Sequence, residues 1–110
     1  MNYSIQELKD LLAKARNTAC QASIDHMDAH GEGWYCGFAW VNIHGVKGNT
    51  KLGRAMKAAG YEQDYTRAFS IWNPGGLGTQ CMATKEAGAQ AAAQVFKDAG
   101  FTAYAGSRAD

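Results

Sequence analysis

The sequence predicts one α+β or α/β domain spanning residues 1–110, in which a small sheet of about three strands packs with helices. Three observations carry that expectation. Residues 34–43 form an aromatic-rich run without charge, the pattern of a strand buried in a sheet. Three other segments repeat apolar residues at helical spacing. Helical and extended segments also alternate along the chain, giving the order helix, strand, helix, strand, helix, strand, which favours packed layers over an all-helical or all-β architecture.

The first helix starts at Ser4, which with Glu7 has the spacing of a capping box. Ile5, Leu8, Leu12, Ala15 and Ala19 follow as an apolar stripe, and the pattern continues through Cys20, Ile24 and Met27 after an expected break near Asn17-Thr18. Within the apolar run, Trp34, Cys36, Phe38 and Trp40 share one face and Tyr35, Ala39, Val41 and Ile43 the other. Both faces read as apolar, so the run is expected to be covered on both sides, with a ligand-stacking aromatic platform as the alternative. Residues 44–48 form a turn. A second helix follows, capped by Asn49 or Thr50, with Leu52, Ala55, Met56 and Ala59 inward and a stop at Gly60.

Residues 65–73 read as a second strand through Phe69, Ile71 and Trp72, and residues 73–78 as a glycine-rich loop holding the only proline. The third helix covers residues 86–99. Its small residues lie in two rows, Ala87-Ala91-Val95 and Gly88-Ala92-Phe96, so it is expected to meet neighbours on two sides: the sheet and first helix, or a second copy of the chain. Residues 101–105 make the last strand and residues 107–110 a polar tail.

A net charge of +1 argues against a long-range field for nucleic acid or acidic membranes, so any basic site must be local. Three scattered cysteines without a C-x-x-C pair suit free thiols in a reducing cytoplasm better than a disulfide scaffold. No leader or membrane span is expected. The two-sided third helix and a 46% apolar composition point to a homo-oligomer.

Chemistry-bearing residues are few. His26 and His30 stand at zinc-chelating spacing, but the glutamate of an H-E-x-x-H site is missing and no third ligand is adjacent. Cys81 precedes a helix, where a thiol can be activated, yet reads more simply as a small buried hydrophobe. No metal, cofactor or catalytic residue is therefore assigned. Lys47, Lys51, Arg54 and Lys57 form a basic stripe free of acids around the second helix start, and with Asn49 they could hold an anion. Gly75, Gly76 and Gln80 in the loop before the third helix offer a second cradle, and Trp72 or Tyr104 a stacking face.

The stretches Cys36-Gly37-Phe38-Ala39-Trp40-Val41-Asn42, Ser70-Ile71-Trp72-Asn73, Gln80-Cys81-Met82-Ala83-Thr84-Lys85-Glu86-Ala87 and Ala103-Tyr104-Ala105-Gly106-Ser107-Arg108-Ala109-Asp110 resemble a group of small uncharacterised bacteriophage and prophage proteins. The resemblance covers residues 36–110 and brings no activity with it. It implies the cytoplasm of an infected bacterium. The expected function is a non-catalytic accessory binding protein, a candidate for counter-defence, that binds a host protein or sequesters a nucleotide or other phosphorylated ligand. A small metal- or cysteine-dependent hydrolase or nuclease and a structural assembly protein are the alternatives.

Overall fold

The computed structural model describes residues 2–31, 36–78 and 81–109. Its elements are α1 (Ile5–His30), β1 (Gly37–His44), α2 (Lys51–Ala58), β2 (Glu62–Gln63), β3 (Phe69–Trp72), α3 (Met82–Asp98) and β4 (Thr102–Ala109). The fold is α+β, with a four-stranded antiparallel sheet in the order β2-β3-β1-β4. The extra strand, β2, is a two-residue element that the alternation of longer segments does not announce. From β1 onward each strand-helix-strand unit leaves room for one antiparallel strand: β3 lies between β1 and β2, and β1 between β3 and β4. That is a pair of interlocked split β-α-β units.

The Ser4 hydroxyl accepts from the Glu7 amide at 3.0 Å and the Glu7 carboxylate accepts from the Ser4 amide at 2.9 Å, so the capping box forms. The helix then runs without the expected break. Asn17 and Thr18 face water while Ala15 and Ala19 carry the buried stripe past them to Ser23. Twenty-six residues at 1.5 Å each make a rod of about 39 Å, which accounts for the longest molecular dimension, 43 Å.

α3 lies between α1 on one side and β1 and β4 on the other. The row Gly88-Ala92-Phe96 is buried within the chain, and in the other row Val95 is buried while Ala87 and Ala91 are half-buried. Side chains added at Gly88 of α3 or Gly75 of the preceding loop would collide with Ser23 Oγ, at 2.5 Å in the case of Gly75. Ser23 Oγ in turn donates to the Thr84 carbonyl at 3.0 Å. The glycine loop and two helices meet here at backbone distance, which only residues without a Cβ permit.

The core sits between the helices and one face of the sheet: Leu8, Met56, Phe69 and Phe96 fill it with Ala39, Val41 and Ile43 of β1. Phe96 meets Phe101 and Tyr61 edge-on, and Tyr3 stacks on Phe101 with its hydroxyl donating to the Ala99 carbonyl at 2.6 Å. α2 is a single short helix capped by Thr50, whose hydroxyl accepts from Gly53 N at 3.0 Å. Beyond Gly106 the chain does not become a tail. Ser107, Arg108 and Ala109 continue β4 by pairing with Ala39, Phe38 and Gly37. Among the described residues, no helix is long and apolar enough to cross a membrane.

Candidate functional site

The central strand is covered on one side only. Gly37, Ala39, Val41 and Ile43 are buried against the helical layer, whereas Phe38, Trp40 and Asn42 are half-buried and His44 is exposed. The expectation of cover on both sides is therefore corrected for the described residues. The buried positions from 39 to 43 are aliphatic, while the outer face mixes aromatics with Asn42 and His44 and so is not a second apolar face. Trp34 and Tyr35 of the predicted run lie outside the described residues.

Strand register assembles the outer face. Trp40 of β1 is paired with Trp72 of β3, and their rings stack with centroids 5.6 Å apart and planes 2° from parallel. Phe38 leans on Trp72 at 5.4 Å. On the other side Trp40 faces Gly106 of β4, where a Cβ would come within 2.6 Å of the indole nitrogen, so the ring can lie against the strand itself. Asn42 is flanked by Ser70 and Tyr104, and His44 packs against Tyr104 with centroids 5.7 Å apart. The outermost rings stay wet: Trp72 is 58% and Tyr104 57% exposed. In the middle of the face, Asn42 Oδ1 is buried without a hydrogen-bond donor among the described residues, an unmet acceptor of the kind that costs stability.

Cations border this face. The Arg108 guanidinium lies 5.9 Å from the Phe38 ring centre and Lys97 Nζ 5.7 Å from that of Tyr104, both at cation–π distance. Lys85 Nζ also lies 5.3 Å from the Phe38 ring, but that side chain is buried and donates to the Gly37 carbonyl at 2.9 Å.

At the His44 end the face runs into an open groove of about 910 Å³, lined among others by His44, Lys47, Asn49, Lys57, Asp64 and Arg67. Asp64 is the carboxylate in that lining. The Thr66 hydroxyl donates to it at 2.5 Å, and the backbone amides of Thr66 and Ala68 donate at 2.8 and 3.2 Å. These bonds hold its carboxyl below the usual range, the hydroxyl contributing most, with a smaller contribution from His44. The groove thus sets three cations against one carboxylate whose Oδ1 is held by its own turn.

The basic stripe does not stay together. Lys47, Asn49 and Lys57 reach the groove, whereas Lys51 lines a separate depression with Ser4 and Glu7, and Arg54 donates to the Asn49 carbonyl at 2.8 Å. The two predicted anion cradles are also apart. β1 and β3 are antiparallel, so the loop after His44 and the loop after Trp72 leave opposite ends of the sheet. Gly75 is buried under Ser23, and Gly76 turns the chain at a φ of 69°. Gln80 lies outside the described residues. Trp72 stands on the outer face.

His26 Nδ1 lies 3.1 Å from the Thr84 hydroxyl and its ring lies 4.7 Å from that of His30. Among the described residues no three potential ligands gather around a metal-sized space. Cys81 is buried at the start of α3. Phe38, Trp40, His44, Arg67, Lys97 and Arg108 lie outside the set selected from the sequence, where Phe38 and Trp40 stand only in the alternative aromatic platform. The signal for the first three was the alternation of residues 38–44, in which every second residue is either aromatic or polar. No family model, curated protein or solved structure matches the chain.

Proposed function

We propose that the protein is a non-catalytic binding protein that receives flat ring systems on the outer face of its sheet. The observation that carries this reading is the exposure of Trp72 and Tyr104 in two ring clusters on the outer face, Trp72 against Phe38 and Trp40 and Tyr104 against His44, with Asn42 between them. A sheet face left to water alternates toward polar residues, and a contiguous apolar patch with polar borders marks a binding surface. Nucleobases and other planar heterocycles are the matching ligand class, because rigid rings stack without ordering flexible side chains. The bordering Arg108 and Lys97 favour ligands that carry negative charge beside the ring. On the resemblance of residues 36–110 to phage proteins, the role we propose is that of an accessory or counter-defence factor in an infected bacterium.

Nucleoside 5′-monophosphates are the simplest probes. Tryptophan fluorescence should be quenched saturably by them, and Trp72→Ala should abolish the saturable component while leaving the thermal midpoint within a few degrees of wild type. Quenching that rises without saturation, as for free tryptophan, would refute this reading for nucleotides.

A further inference from the structure

We infer that the outer sheet face and the groove beyond His44 form one continuous track for a single-stranded nucleic acid, an extension that rests on the ring-binding role given to the sheet. His44 joins the two. It packs against Tyr104 on the face and lines the groove with Lys47, Lys57 and Arg67. From Phe38 to His44 the track follows β1 over a span of about 20 Å at strand rise before entering the groove.

Charge and ring placement match this occupant. Arg108 stands at the Phe38 end, Lys97 beside Tyr104, and three further cations wait in the groove, so positive charge recurs along the path with ring faces between. A single strand presents that same sequence of groups: phosphates at intervals, with bases free to turn out and stack. A duplex keeps its bases stacked on one another and offers rings nothing to stack on. The near-neutral net charge of +1 means that the cations along the track are a local concentration. Asp64 keeps its negative charge in the groove, with Oδ1 accepting three hydrogen bonds from its own turn, so three cations there face one carboxylate. A protein partner would be met by the same aromatics, but it has no evident use for cations repeated along a groove about 20 Å from the Phe38 end.

The test uses the full chain and an end-labelled single strand of mixed sequence, about twelve nucleotides long, read by fluorescence anisotropy over a range of salt. Wild type should bind the single strand more tightly than the matching duplex. Trp72→Ala and Tyr104→Ala should each weaken binding about 5- to 150-fold without changing the salt slope. Lys47→Ala, Lys57→Ala and Arg67→Ala should each lower the log–log salt slope by about 0.7.

Equal affinity for duplex and single strand, or binding insensitive to the ring substitutions, would overturn the track as charge attraction alone. Sedimentation separates the remaining failure. If the strand does not bind and wild type is a dimer that Trp72→Ala dissociates, the face joins two copies of this chain. The nucleic-acid proposal is then wrong, while the face remains a binding surface. If neither occurs, both readings fall.

Discussion

At the scale of single residues, the fold depends on a few places where chain segments touch. Gly88 and Ser23 are the sharpest. Alanine at position 88 should gain about 1 kcal/mol in helix propensity and still lose on balance, because its methyl group would meet both Ser23 Oγ and the Ala19 carbonyl, the latter at 3.2 Å. Chemical denaturation should show Gly88→Ala destabilised by about 1–2 kcal/mol. Adding Ser23→Ala should recover most of that loss. Were the double variant no more stable than the single, the close approach would not be the cause.

Tyr61 is the second such place. Its hydroxyl donates to the Leu8 carbonyl at 2.8 Å, and burial pushes its phenol well above the ordinary value of 10.0. The folded state therefore holds this proton more tightly than the unfolded chain does. Stability from the neutral phenol is fully present below pH 10 and declines as pH rises beyond it. Tyr61→Phe should cost about 1 kcal/mol at neutral pH for the lost hydrogen bond. It should also show a shallower alkaline decline in denaturation midpoints. Parallel alkaline limbs would remove Tyr61 as the cause.

At the scale of elements, the hairpin from β2 to β3 is held by Asp64. Its depressed carboxyl means the folded state favours the charged form, so the stabilisation is present above the ordinary carboxylate value of 3.8 and is lost as pH falls through the lower folded value. Asp64→Asn should be less stable than wild type at neutral pH, and the gap should narrow as acid is added. A gap that is constant with pH would assign the effect to turn geometry alone.

The elements also show where sequence reading succeeds. α1 was legible because its cap and its stripe agree, and α3 because its small residues declare close neighbours. β2 was not legible, since two polar residues have no period; they become a strand only by pairing with Ser70 and Phe69. The expected last strand stops at Ala105 because residues 107–110 read as a polar tail, yet β4 continues and Gly106 is needed to seat Trp40. The site was half legible for the same reason. Lys47, Asn49, Lys57 and Trp72 stand out by residue type, but their partners depend on register: Phe38 is level with Arg108, and Asn42 with Ser70 and Tyr104.

At the scale of the whole molecule, the arrangement is asymmetric. α1 and α3 pack on one side of the core-forming sheet face, and the opposite face presents rings, one amide and bordering cations to the solvent. Of the rows that suggested a second copy, Gly88-Ala92-Phe96 is buried inside the chain, while Ala87 and Ala91 are half-buried. Amide chemical-shift mapping with a single-stranded oligonucleotide tests the central claim most directly. The account predicts shifts at Phe38, Trp40, Asn42, His44, Ser70, Trp72 and Tyr104, extending to Lys47 and Lys57, with the helical layer unmoved. Shifts confined to α1 and α3, or none at all from a folded protein, would contradict it.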